Sequence, residues 1–150
     1  GRTMHAAAIP LAINVIQMVS GHLKQRGEQQ HIHVISQFES SVQARRTDVV
    51  EKTCYTILKM YADQATDYMA EKKKHTAKIV KTKDAMERAT LLSRSREIDR
   101  NLENIRADAQ MVYAQMGRLL TALDSKNSNF AADLAQPLSL LEENHSTQDR

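Results

Sequence analysis

A heptad repeat in the C-terminal half constrains the fold more than any other feature of this sequence. Its apolar positions recur at alternating spacings of four and three: Ile98, Leu102, Ile105, Ala109, Val112, Met116, Leu119 and Leu123. This spacing keeps one apolar seam along a helix and favours left-handed packing against another helix. The repeat therefore predicts a docking surface between helices and not a reaction centre.

The scarcity of residues that interrupt helices predicts long helical segments. The 150-residue chain contains only 4 Gly and 2 Pro, has no Trp, and is rich in straight-chain residues that favour helices. A chain of this length normally forms one domain with a buried core. We therefore expect a single all-α domain over residues 1–150, with few turns.

Hydrophobic periodicity divides this domain into four helices and a polar tail. The predicted helices cover residues 10–25, 29–73, 77–123 and 129–143, and the tail covers residues 144–150. The second helix carries a stripe that would face the heptad seam and includes Ile57, Tyr61 and Tyr68. Arg45 and Arg46 interrupt its first half, and the stripe then changes phase, which predicts a stutter in a continuous helix.

The weakest apolar stretch, residues 70–84, contains neither Gly nor Pro and allows two interpretations. If the chain turns back near residues 74–76, the result is an elongated antiparallel helical hairpin, coiled-coil-like, with two short helices forming a small bundle at one end. If the chain continues, one helix from residue 30 to residue 124 pairs between subunits. We favour the hairpin.

The charge distribution is uneven, although the net charge is only +3. Residues 71–90 carry a net charge of +4, and the predicted turn becomes a basic tip formed by Lys72, Lys73, Lys74, Lys78, Lys81 and Lys83. The tip is either a solvated hairpin end or a contact for an anionic partner, such as a lipid surface or an acidic protein. No aromatic residue interleaves with these lysines, which makes nucleic acid an unfavoured partner.

The motifs that usually accompany catalysis are missing from the sequence. It contains no phosphate-binding loop, dinucleotide fingerprint or paired-cysteine metal site, and the lone Cys54 reads as a small buried hydrophobic residue. Two Glu-x-x-His motifs, Glu28 with His31 and Glu142 with His145, have the spacing used in carboxylate-bridged metal bundles. Both lie at helix margins, whereas such bundles hold their ligands in the core, so we predict no metal, no cofactor and no enzyme.

The N-terminal apolar run, residues 6–19, is too short to span a bilayer, which needs about 20 residues. The helix that contains it is apolar on nearly every side, and such a helix is either surrounded by other helices or lies at a membrane surface. We favour the buried interpretation and expect a cytoplasmic protein, with peripheral membrane association as the alternative.

These features together predict a non-enzymatic helical protein–protein interaction module, such as an adaptor, an assembly factor or a small chaperone. It would dock through the heptad seam and the facing stripe, onto a protein partner or a second copy in a homodimer. The alternative function is a membrane-surface-associated protein that uses its first helix and the basic tip. A carboxylate-bridged metal bundle is the third and least favoured hypothesis.

Overall fold

The computed structural model describes the backbone of residues 2–126 and 129–149, with the side chains of residues 7–126 and 129–142. This described part contains five helices and no strand, which confirms the all-α prediction. The helices are α1 (Arg2–Gln25), α2 (His31–Gln43), α3 (Thr47–Lys81), α4 (Ala85–Ala122) and α5 (Phe130–Asp149).

The predicted second helix is broken in two, because residues 44–46 separate α2 from α3. Arg45 has a φ of 52°, in the left-handed region, and the backbone N–H of Arg46 donates to the carbonyl of Ser41. The hydrogen bond from residue 46 back to residue 41 is typical of a Schellman motif, which commonly ends helices. Glycine normally occupies the left-handed position of this motif. The prediction of a continuous helix was wrong because no glycine marks the end. The phase change in the apolar stripe coincides with this break.

The turn between α3 and α4 lies at residues 82–84 and not at residues 74–76. Thr82 is extended, and the Asp84 side chain accepts a hydrogen bond from the backbone N–H of Met86 at 3.1 Å. Asp84 thus caps the first turn of α4, and Glu87 follows it at the spacing typical of a helix start. The predicted position was wrong because we placed the turn where large apolar residues become scarce. The capping signal at Asp84 was not taken into account.

The first and last helices extend beyond their predicted bounds. α1 begins at Arg2 and contains Pro10, which we had taken as its first residue. α5 continues through Pro137 to Asp149, across the segment that we had predicted as a polar tail. A proline removes one backbone hydrogen bond but does not prevent a packed helix from continuing around it.

The hydrophobic core draws on all five helices. α3 packs against each of the other four, and α4 packs against α1, α3 and α5. Its largest fully buried side chains include Ile16, Phe38, Tyr61, Met116 and Leu134. Packing on several sides explains why buried positions follow the apolar stripes so closely.

Polar contacts show how α3 lies beside α4. Glu71 and Lys72, late in α3, contact Arg94 and Asp99 in the first half of α4. Early in α3, Glu51 accepts a hydrogen bond from the hydroxyl of Ser125, just beyond the end of α4. The heptad seam of α4 therefore lies along α3 within the same chain.

Candidate functional site

The heptad seam, predicted as a docking surface, is buried in the core of its own chain. All eight of its positions are buried, and Leu102 and Leu123, the most exposed of them, are only 5% and 8% exposed. Of the facing stripe, Ile57 and Tyr61 are fully buried and Tyr68 is half-buried. The seam already has its helical partners within the chain, so a further protein would have to dock elsewhere or open the core.

A different surface is left uncovered, at the end of α3 and the start of α4. The last buried residue of α3 is Met69 and the first buried residue of α4 is Ile98. We call the intervening residues 70–97 the arm, and every one of them is exposed or half-buried. Because the arm lacks a third helix against it, its large apolar side chains stay accessible.

The α3 side of the arm carries the lysines. Lys74, Lys78 and Lys81 follow one another at spacings of four and three, which places them on one face of the helix. Together with Lys73 and Lys83 they are exposed, and among the described residues none of these five forms an ion pair. The predicted basic tip is therefore a solvent-facing cluster, with the exception of Lys72.

The α4 side of the arm is apolar instead. Ala85, Ala89 and Leu92 recur at spacings of four and three, so they share one face of α4, and all three are exposed. Two small residues beside a leucine let another helix approach closely. The arm thus has a basic face on α3 and an apolar strip on α4.

Two large apolar side chains flank the loop at the end of the arm. Val80 and Met86 are each 80% exposed, more than any other large hydrophobic side chain in the described part of the chain. The sequence did not mark either residue as part of a surface, because Val80 lies in the weakest apolar stretch and Met86 lies beside apolar positions like the other methionines. The sequence does not show that the end of α3 and the start of α4 are exposed to solvent.

Ion pairs fix the base of the arm. Arg94 donates two hydrogen bonds to the Glu71 carboxylate, from Nε at 2.9 Å and from an Nη at 3.0 Å. Lys72 Nζ donates to Asp99 Oδ1 at 2.6 Å. The hydrogen bonds from Arg94 are the main reason that the pKa of Glu71 is lowered. These contacts hold α3 and α4 together where the core ends.

A polar cluster near the base was missed by sequence reasoning. Arg26, just after α1, donates to Gln64 Oε1 at 2.9 Å and lies within 3.4 Å of Asp108. Its guanidinium also lies 6.0 Å from the ring centroid of Tyr61. His22 Nδ1 lies 3.0 Å from the same Asp108 carboxylate. The cluster ties α1 to α3 and α4, which is a structural role for all five residues.

The Glu-x-x-His motifs do not form a metal site in the described residues. No group of three His, Cys, Asp or Glu side chains lies close enough there to hold an ion. Glu28 accepts a hydrogen bond from the backbone N–H of Gln30, and Glu142 accepts one from Gln110. Burial lowers the pKa of His31, and the side chain of His145 lies outside the described residues.

Cys54 is fully buried, as predicted for a small hydrophobic residue. Burial raises the pKa of its thiol well above the ordinary value, which leaves it protonated at neutral pH. A buried, protonated thiol is a poor nucleophile. Cys54 therefore belongs to the packing of α3.

Comparisons with known proteins provide no family for this chain. No protein-family model, curated protein or solved structure matches it. Within the part of the chain that the structure describes, no helix is both long and apolar enough to cross a bilayer. The arm is therefore the surface from which we infer a function.

Proposed function

We propose that this chain is a non-enzymatic helical protein–protein interaction module that docks through its arm. The observation that carries the proposal is the absence of any buried residue over residues 70–97, although Ile79, Leu91 and Leu92 lie among them. Two paired helices cannot cover such side chains alone, whereas a third helix laid along them would. An adaptor, an assembly factor or a small chaperone would use a surface of this kind.

The proposal includes an elongated antiparallel helical hairpin, with α3 and α4 as its two limbs. The contacts of Glu71 with Arg94 and of Glu51 with Ser125 support this arrangement. α1, α2 and α5 would pack around the end far from the loop and leave the arm projecting. The single buried Cys54, in a sequence without other cysteines, fits a reducing compartment such as the cytoplasm.

A second copy of the chain is the partner that we propose for the apolar strip of α4. Ala85, Ala89 and Leu92 would meet the same residues of the other copy around a twofold axis. The three residues of the strip carry no charge, and the exposed lysines of the arm lie on α3 and in the loop that follows it. Homodimerisation of this kind would bury the arm's apolar residues without disturbing the core.

The mass of the protein in solution tests this proposal. Sedimentation equilibrium of the full chain should give twice the monomer mass of 17.0 kDa at high concentration. Leu92→Glu, which places a charge in the strip, should give a monomer under the same conditions. Met111→Glu is the matched control, because Met111 is an exposed apolar residue of α4 outside the arm and is 50% exposed.

The control should remain a dimer, and at a concentration low enough to keep all three proteins monomeric both variants should keep the thermal stability of the unmodified protein. A monomer at every concentration, or a dimer that persists in Leu92→Glu, would refute the self-association. Loss of the dimer in Met111→Glu alone would place the interface elsewhere on α4 and would equally refute docking through the arm.

A further inference from the structure

We propose that the loop end of the arm, residues 78–86, docks on an anionic phospholipid surface. This inference shares only Ala85 with the strip of the dimer proposed above and does not depend on that dimer. It commits to lipid, because the end combines unpaired lysines with exposed apolar side chains.

The charge of the arm end is complementary to a phosphate-rich surface. Lys78, Lys81 and Lys83 are exposed without an ion-pair partner among the described residues, and Asp84 is the only acid within residues 78–86. Lys73 and Lys74 add two more exposed charges about one turn before Lys78 in α3. Polybasic clusters of this size are attracted to anionic headgroups, at about 1 kcal/mol per lysine near the surface.

The apolar side chains of the arm end lie among these charges. Val80 is two residues before the loop and Met86 two residues after it, and both are 80% exposed. A bilayer interface accommodates this combination, because apolar side chains enter the acyl boundary while lysine ammonium groups remain among the headgroups. In water, by contrast, the same two side chains have nothing to cover them.

Other anionic partners fit the arm end less well. Recognition of carboxylates and nucleic-acid phosphates commonly uses the planar fork of arginine, whereas residues 78–86 contain lysine alone as their basic residue. The arm also contains no Phe, Trp or Tyr on which a base could stack. Exposed valine and methionine contribute nothing to a phosphate backbone. A lipid surface uses both features.

One face of the first helix is not available for this role. Ala12, Ile16, Val19 and Leu23 form a stripe of α1 that is buried in the core. This stripe cannot enter lipid while the fold is intact. The proposal therefore places membrane attachment at the arm end alone, whereas the alternative that we drew from the sequence used the first helix and the basic tip together.

Vesicle flotation of the full chain tests the proposal. The protein should float with phosphatidylcholine vesicles that contain about 30% phosphatidylserine and stay behind with pure phosphatidylcholine. The triple variant Lys78→Glu, Lys81→Glu, Lys83→Glu should bind about a hundredfold more weakly, since each lysine near the surface contributes roughly a fivefold change. High salt should weaken the binding of the unmodified protein in the same direction.

Two matched controls distinguish the effect of the substituted positions from the effect of changing the net charge or the number of exposed apolar residues. Lys24→Glu, Lys52→Glu, Lys126→Glu changes the net charge equally at exposed positions outside the arm, and it should bind much more strongly than the arm variant. Val80→Ser, Met86→Gln should bind several-fold more weakly than the unmodified protein. Its counterpart Leu11→Ser, Met18→Gln alters exposed residues of α1 and should bind like the unmodified protein.

Several results would overturn the proposal. These are no flotation at low salt, equal binding to neutral vesicles, or an equal loss in a control variant and its arm counterpart. Tight binding to a short DNA duplex or to polyglutamate without binding to vesicles would assign the lysines to another partner and would also overturn it. Leu92→Glu should float normally, so failure of the dimer and failure of lipid binding are distinguishable.

Discussion

The Nε–H of Arg26 donates a hydrogen bond to Oε1 of Gln64 at 2.9 Å, across the junction between α1 and α3. The amide nitrogen of the same Gln64 donates to the carbonyl of Leu23, also at 2.9 Å. Gln64 is only 8% exposed, so both ends of its amide are satisfied by groups at the end of α1. This one side chain therefore fixes where α1 leaves the core.

Gln64→Ala should lower the free energy of unfolding by about 1–3 kcal/mol. The substitution removes one hydrogen bond from the Leu23 carbonyl and one from the Arg26 guanidinium, although the Glu28 N–H and the Asp108 carboxylate remain as their other partners. Urea denaturation measures the change, and Gln37→Ala, at an exposed position of α2, should cost less than about 0.5 kcal/mol. Equal costs in the two variants would mean that the amide of Gln64 does not secure α1.

Arg45→Gly should stabilise the protein, by up to about 1 kcal/mol. Arg45 has a φ of 52°, a conformation that costs a residue with a Cβ roughly 1–2 kcal/mol and costs glycine nothing. The entropy that glycine adds to the unfolded chain offsets part of this gain. Urea denaturation measures the difference.

The neighbouring Arg46→Gly provides the control, because Arg46 has a φ of −88° and gains nothing from glycine. It should destabilise the protein. If residues 29–73 formed one continuous helix, as the sequence predicted, Arg45→Gly would instead cost about 1 kcal/mol, like any glycine inside a helix.

Leu119→Ala should destabilise the protein by about 2–5 kcal/mol, because Leu119 is fully buried and its loss leaves a cavity. Leu92→Ala, on the arm, should cost less than about 1 kcal/mol, because Leu92 is 38% exposed. Thermal or urea denaturation distinguishes the two. A similar cost at both positions would contradict the division of α4 into a core segment and an arm segment.

The Glu71 carboxylate should stabilise the fold near neutral pH and lose this effect in acid. The hydrogen bonds from Arg94 lower the pKa of Glu71 below its ordinary value of 4.5. A group whose pKa is lowered by folding contributes stability above its ordinary pKa and loses it as pH falls through the lowered pKa. The advantage of the unmodified protein over Glu71→Gln should therefore shrink as the pH is lowered from neutral to about 3.

Urea denaturation over this pH range provides the measurement. In an Arg94→Gln background, Glu71→Gln should show a smaller dependence on pH, because the main hydrogen bonds to the Glu71 carboxylate are then missing. A constant difference between the unmodified protein and Glu71→Gln across the range would show that the Arg94 contact does not stabilise the charged carboxylate.

The sequence by itself determined the helical class and most of the positions that face inward. The heptad from Ile98 to Leu123 is buried throughout, and Cys54 is buried as its position on the stripe predicted. The predicted end of the first helix at residue 25 matches the end of α1, and Gly27, two residues later, has a φ of 103°. These outcomes depend on local periodicity and on glycine's freedom at positive φ, both of which are readable along the chain.

Only the tertiary structure decided which helices cover each other. A heptad seam has the same pattern whether its partner lies in the same chain or in another, so its burial within the chain was not readable. Met60, Met69 and Met116 are buried whereas Met18, Met86 and Met111 are exposed, although all six lie on or beside apolar stripes.

The left-handed Arg45 that separates α2 from α3 was equally hidden. Packing of the two helices offsets its local conformational cost, and that packing is not a property of any short segment. The arm could not be read from the sequence for the same reason. Residues 70–97 are accessible because α1, α2 and α5 do not cover them. Burial depends on the neighbours that the fold supplies, and a single segment of sequence does not contain those neighbours.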